Sequence, residues 1–234
     1  MNLKRLLLLT LLTIFIAVTP VLAQSERPDQ TALTIIELTV KDDEGTSQVY
    51  AVPPTDDSMT NPHYELMMYH WFTTINYYIN PSNKYGFSAT AVVNVIRTSA
   101  NTWDAKTSYQ VFNYVGTTSR QAGKRDGYNV VAWGRYQAGV IAVAYIWYNI
   151  YTLHIVETDT RMNTYYTWSL SGEAGKMDVQ NIMTHEFGHW CGLDDLYSDK
   201  DYWLTMYGYA DYGETYKQTL GLGDINGLKA VYGS

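Results

Sequence analysis

Two histidines four residues apart, with a glutamate directly after the first, are a pattern that can hold a metal ion and do chemistry with it. The chain carries this pattern in His185-Glu186-Phe187-Gly188-His189, followed by Trp190-Cys191-Gly192-Leu193-Asp194-Asp195. On a helix of 3.6 residues per turn, positions i and i+4 lie about 40° apart, so both imidazoles point from one face toward one ion. Gly192 can end the helix in a left-handed conformation that costs other residues energy. The turn it allows brings Asp195 back toward the same ion, and by spacing Asp194 is the neighbour that could take its place. A hydrolytic zinc keeps three protein ligands and leaves a fourth position for water. The expected ligands are His185, His189 and Asp195, with Glu186 free to take a proton from the attacking water and return it to the leaving amine. The plainer alternative is a buried helix with hydrogen-bonded histidines. Burying two histidines and a glutamate on one face is costly without an ion to compensate.

Such a site needs a rigid frame, and the sequence outlines one. Asp178 can cap the helix that carries His185 and His189. Ser88 can cap another that runs to about Trp103, with Val92, Ile96, Ala100 and Trp103 on one face. Strands are expected over residues 71–80, 109–115, 128–136, 140–151 and 153–163, the first stopped by Pro81. The two segments within 128–151 are apolar, β-branched and aromatic, as in buried or half-buried strands. Asp224 is expected to cap a last short helix in which Ile225, Leu228 and Val231 share a face. This order of elements predicts an α+β fold with helices against a mixed, mostly parallel sheet.

The chain has 234 residues, enough for one domain with a real core. Its formal charge is −7 and no basic patch stands out, which argues against nucleic acid as a partner. Residues 1–23 read as a secretory signal peptide. Lys4-Arg5 precede an apolar run from Leu6 to Val18 that is too short to span a bilayer, and Val21-Leu22-Ala23 offer a cleavage site. The protein is therefore expected outside the cell, as a monomer without membrane contact after cleavage. Residues 24–60 read as a short N-terminal extension: a propeptide, or a hairpin added to the mature domain. Thr31 to Val40 is β-prone, Lys41-Asp42-Asp43-Glu44-Gly45 is a polar turn, residues 48–52 suit a second strand, and Pro53-Pro54 open a linker. Residues 61–234 then form the catalytic domain. Cys191 is the single cysteine, so no intrachain disulfide can form, and a buried small hydrophobe is its expected role.

The stretch His185 to Asp195 resembles the extended zinc signature of the metzincin metallopeptidases, and is most similar to that of matrixin-like secreted peptidases. Thr205-Met206-Tyr207-Gly208 resembles their Met-turn. Leu222-Gly223-Asp224-Ile225-Asn226-Gly227-Leu228, with Val231-Tyr232-Gly233, resembles their closing helix, and Glu157 to Thr164 with Trp168 resembles their last strand. The resemblance covers residues 70–234. It implies a domain of five strands and three helices, a catalytic Zn2+, and Met206 as an apolar floor beneath the ligands. It also implies a substrate cleft along an edge strand. By that likeness residues 140–149 are the edge, open to a peptide that adds as a further strand. Aspartate at position 195, where matrixins carry histidine, is similar to the snapalysin-type enzymes. The extra carboxylate charge should make the zinc a weaker Lewis acid. Residues 128–151 contain no histidine, so the structural zinc of matrixins is not expected. Residues 24–60 contain no cysteine, so latency by a thiolate is not expected either. Glu157 and Asp159 are candidate Ca2+ ligands by the same likeness.

The expected function is a secreted zinc-dependent endopeptidase acting on polypeptides. A secreted zinc-binding module without proteolysis is one rival, and Glu186 counts against it, because a purely structural site has four protein ligands and no use for that carboxylate. A zinc amidase acting on cell-wall peptides is another, and the Met-turn favours a polypeptide substrate over it. Tyr207, Tyr209 and Tyr212 are candidates for lining the site beyond the scissile bond, or simply for packing. His63, His70 and His154 are expected to be structural.

Overall fold

A computed structural model describes residues 30–41 and 59–234. The expected signal peptide and the strand expected at residues 48–52 lie outside the described residues. Nine strands and three helices follow in order: β1 (Thr31–Val40), β2 (Ile75–Ile79), α1 (Ala89–Asp104), β3 (Phe112–Thr117), β4 (Asn129–Gly134), β5 (Val140–Asn149), β6 (Ile155–Asn163), β7 (Trp168–Ser169), β8 (Met177–Asp178), α2 (Val179–Trp190), β9 (Tyr209–Ala210) and α3 (Leu222–Tyr232). The α+β class holds. The sheet has seven strands in the order β3-β2-β4-β6-β5-β1-β9, not five, and β7 and β8 form a separate pair. Most neighbours are parallel; β5 runs antiparallel to both β6 and β1.

The two additional strands lie beyond β5. β1 comes from the N-terminal extension and pairs with β5 from Thr31↔Asn149 to Thr39↔Val140. Residues 140–149 are therefore not an edge in this structure. The likeness placed the edge there by considering the catalytic domain alone, whereas a segment preceding that domain covers it.

Local chemistry explains the helices. Ser88 Oγ accepts the Ala91 N–H at 3.2 Å, and Val92, Ile96, Ala100 and Trp103 form the buried face of α1. The two long helices lock together through polar groups as well as packing. Trp103 Nε1 donates to the Thr184 carbonyl at 2.8 Å, and Ser99 Oγ donates to the Gln180 carbonyl at 3.1 Å. Beneath α2, Tyr77, Phe112, Phe187 and Trp190 meet edge to face or tilted in the main core. Asp224 is not the cap residue of α3. It lies inside the first turn, and its Oδ2 accepts the Gly221 N–H at 2.8 Å, which anchors the turn from within the helix.

One acidic strand does structural work. Glu157 accepts the Asp126 and Gly127 N–H groups at 2.8 and 2.7 Å, and Asp159 accepts those of Gly123 and Val130 at 2.6 and 2.8 Å. Arg161 Nη2 donates to the Ala122 carbonyl at 2.6 Å. Three alternate side chains of β6 thus hold the 122–130 loop against the sheet. Oxygens facing N–H donors do not suit a cation, and neither carboxylate joins a metal-binding group among the described residues.

Candidate active site

Helix α2 begins at Asp178, whose Oδ1 accepts the Asn181 N–H at 2.8 Å, and continues to Trp190. Gly192 then takes φ +96°, and its N–H bonds to the His189 carbonyl at 3.0 Å, so the chain leaves the helix where the sequence suggested. Leu193 to Leu196 return across the helix end. An isolated parallel bridge between Leu196 and Tyr207 joins this return to the turn that holds Met206.

The return brings three ligand atoms together. His185 Nε2 and His189 Nε2 are 3.1 Å apart, and Asp195 Oδ1 lies 3.3 and 3.5 Å from them. His185, His189 and Asp195 are all buried and form the one potential metal-binding group among the described residues. Asp194 is not in it; its Oδ1 accepts the Asp195 N–H at 2.9 Å. The outer ring nitrogens settle the tautomers. His185 Nδ1 donates to the Thr205 carbonyl at 2.7 Å and His189 Nδ1 donates to the Leu193 carbonyl at 3.0 Å. With both rings neutral, as metal ligation requires, both Nε2 atoms present lone pairs to each other and to a carboxylate oxygen. That arrangement is repulsive unless a cation sits among them. Donors about 2.0–2.1 Å from a tetrahedral zinc stand about 3.3 Å from each other, so the spacing fits that ion. Burial lowers the pKa of His185, favouring the neutral form a metal requires.

Asp195 owes its orientation to a residue the motif does not contain. Burial opposes its ionisation. The pull of His189, and the contacts with His185 and Tyr197, outweigh that and hold its carboxyl below the ordinary range. Tyr197 Oη donates to Asp195 Oδ2 at 3.1 Å, which leaves Oδ1 to face the histidines. Asp195 and Tyr197 are two apart on an extended stretch and so project to one side. That spacing is the only hint of the contact the sequence offers.

Glu186 is fully buried, and neither of its oxygens has a hydrogen-bond partner among the described residues. Burial, reinforced by the charge of Asp195, pushes its carboxyl well above the ordinary range. Met206 is buried against α2. A Cβ at Gly188 would lie 2.1 Å from its Sδ, so glycine is what lets the turn approach the helix. Asp224 holds this turn from below, accepting the Thr205 and Met206 N–H groups at 2.9 and 3.1 Å. The Thr205 carbonyl fixes His185, so Asp224 supports a ring it does not touch.

The remaining candidates separate. Tyr209 lines the cavity that Asp195 opens onto; Tyr207 is buried, and Tyr212 packs on Tyr166. His63 pairs with Asp201 at 2.9 Å, and His70 bridges to His154 beside Phe72. Cys191 is buried, which raises its thiol well above the ordinary range. None of these joins the three-ligand cluster.

The sequence profile of the matrixin peptidases matches residues 70–233, well over half of the chain and the whole of the described site. The chain belongs to the matrixin family. It is accordingly a zinc metalloendopeptidase, and its substrates are polypeptides. A search of curated proteins finds no match. Within this matrixin, β1 lies wholly outside the matched residues. No helix among the described residues is long and apolar enough to cross a membrane.

Proposed function

We propose that this matrixin is a secreted endopeptidase in which His185, His189 and Asp195 hold zinc, Glu186 is the general base and acid, and Met206 is the floor of the site. The reading is carried by Glu186, a buried carboxylate with two unpartnered oxygens beside a cluster of three converging ligand atoms. A structural zinc site would call for four protein ligands and no such acid. Bound there, zinc would supply Lewis acidity toward the scissile carbonyl and lower the pKa of a water toward about 7. Glu186 takes the proton of the attacking water at a carboxylate oxygen, helped by the burial that raises its basicity. It then gives that proton to the departing amine nitrogen. His185 and His189 are each fixed by a carbonyl at Nδ1, and Tyr197 keeps Asp195 presenting one oxygen. Secretion is supported by the charge and apolar pattern of residues 1–23.

The test uses the chain both intact and cut between Lys41 and Met59, with casein as substrate. Chelation should abolish cleavage. Glu186→Gln should keep zinc and lose about 10²–10⁴ in kcat, the usual contribution of a positioned acid–base. Hydrolysis that survives the chelator or the substitution in both forms would refute the assignment.

A further inference from the structure

We propose that Lys217 is a positioning residue of the metal site: its buried ammonium fixes the Tyr207 carbonyl and so holds the turn on which His185 and the arm of Asp195 both rest. This deepens the peptidase reading above and rests on it.

Lys217 belongs to none of the motifs that carry the resemblance. It is nevertheless a fully buried lysine, on a single 3₁₀ turn, Tyr216–Gln218. Lysine is almost never fully buried unless it is paired. Its Nζ donates to the Tyr207 carbonyl at 3.0 Å, and Glu214 Oε1 stands 3.7 Å away. The rings of Tyr207 and Tyr216 have their centres 5.3 and 4.9 Å from the same nitrogen. Burial lowers the pKa of this ammonium, and the charges of Glu214, Asp224 and Asp195 oppose that shift.

The carbonyl it holds lies at a junction. Three successive carbonyls of the turn have three different partners. That of Thr205 accepts His185 Nδ1 at 2.7 Å, that of Met206 accepts the Leu196 N–H at 2.9 Å, and that of Tyr207 accepts Lys217. The Gly208 N–H donates back to the Leu196 carbonyl at 2.9 Å. The turn therefore supports one ligand directly and another through the residue that follows Asp195. Tyr207 is buried, and a buried carbonyl left without a donor is costly.

Lys217 is itself anchored to the helix that carries the histidines. Its N–H bonds to Asn181 Oδ1 at 2.8 Å, and Asn181 Nδ2 donates to Glu214 Oε1 at 2.9 Å. Asn181 precedes His185 by four residues, so the two share a face of α2. Thr205 Oγ1 donates to the Lys217 and Thr219 carbonyls at 3.4 and 3.1 Å. The backbone of Lys217 is thus tied to α2 and its side chain to the turn, and this one residue sets the spacing between them. A charge-assisted bond is about twice as strong as a neutral one, which makes an ammonium an effective clamp there.

The rival reading is a lysine that serves only to neutralise Glu214. Two full-length variants separate the readings: Glu214→Gln, and Glu214→Gln combined with Lys217→Met. Breaking a buried pair is costly, whereas replacing both charges is often neutral, so the double variant should melt near the parent. Competition against a chromogenic chelator reads zinc affinity, and the visible spectrum of the Co2+-loaded protein reads the geometry of the ligands. The double variant should bind zinc about tenfold more weakly, as on loss of an outer support, with an altered Co2+ spectrum. Glu214→Gln alone should keep the parent's affinity and spectrum, because Lys217 still donates to Tyr207. A double variant with the parent's affinity and spectrum would overturn the proposal. So would Glu214→Gln that weakens zinc as much as the double variant does. A double variant that melts far below the parent would overturn it too, since the lysine would then serve the fold and not the site. Neither metal readout involves hydrolysis, so these failures leave the peptidase reading standing, while a parent that takes up neither ion removes both.

Discussion

Replacing Tyr197 with phenylalanine removes one hydroxyl and little packing, because the ring is 58% exposed. The hydroxyl donates to Asp195 Oδ2 at 3.1 Å, and the other oxygen lies 3.3 and 3.5 Å from the two histidine nitrogens. Without the donor, Asp195 can rotate, and its freed oxygen, on a residue only 5% exposed, is poorly compensated by solvent. Loss of an outer partner of a metal ligand costs 10–100-fold in affinity, or about 1.4–2.7 kcal/mol. The cavity beside Asp195 can admit a water to replace part of the bond, which places the expectation near tenfold. Competition for zinc against a chromogenic chelator at fixed pH gives the dissociation constants. Tyr212→Phe, at a half-exposed ring that packs on Tyr166, is the control and should leave zinc affinity unchanged. A Tyr197→Phe dissociation constant within twofold of the parent would refute the idea that Tyr197 orients the third ligand.

Two further outcomes follow from packing and from charge. Gly188→Ala would ordinarily stabilise a helix by about 1 kcal/mol. Here the added Cβ would lie 2.1 Å from Met206 Sδ and 2.8 Å from Trp103 Cζ2, inside a packed core. Overpacking of about 1–3 kcal/mol should outweigh that gain, lowering Tm by up to about 8 °C; a Tm above the parent's would show that the helix–turn contact is slack. For Asp159, burial raises the carboxyl from 3.8 to about 7 despite the N–H groups of Gly123, Val130 and Lys124. A folded carboxyl with a raised pKa holds a proton that the unfolded chain has released between about pH 4 and pH 7. Its contribution to stability is therefore full below pH 4 and is lost as the pH rises through 7, by at most about 4 kcal/mol. Melting curves at pH 4.5 and 7.5 should show this decline in the parent and a smaller one in Asp159→Asn; identical declines would refute it.

The convergence of His185, His189 and Asp195 was legible because its geometry is local. His185 and His189 are set by helix pitch, and Asp195 by one glycine three residues upstream. The helix starts at Ser88 and Asp178 were legible for the same reason, since a cap is a contact across three residues. What supports the site was not. Tyr197 reaches Asp195 from two residues further on, Asp224 reaches the Thr205–Met206 backbone from 18 or 19 residues away, and the Thr205 carbonyl reaches His185 across 20. Carboxylates and carbonyls that hold other backbone leave no spacing to read. Glu157 and Asp159 show the converse risk: the family likeness suggested a cation, but their partners are N–H groups of a loop some 30 residues earlier.

Strand β5 shows where side-chain pattern stops carrying information. Val140 to Trp147 is apolar at every position, and these residues are between 0 and 7% exposed. Such a run reports that both faces of a strand are covered. It says nothing about the two edges, which consist of backbone groups common to every sequence. The faces of β5 are covered by the rest of the domain and by β1 together. Tyr145 lies beneath the loop that Glu157, Asp159 and Arg161 hold, and Ala144 and Ile146 pack with Met67, Tyr69 and Ile155. β1 adds a row of hydrogen bonds, Leu38 in the main core and Ile36 against the cluster of Ala144 and Ile146.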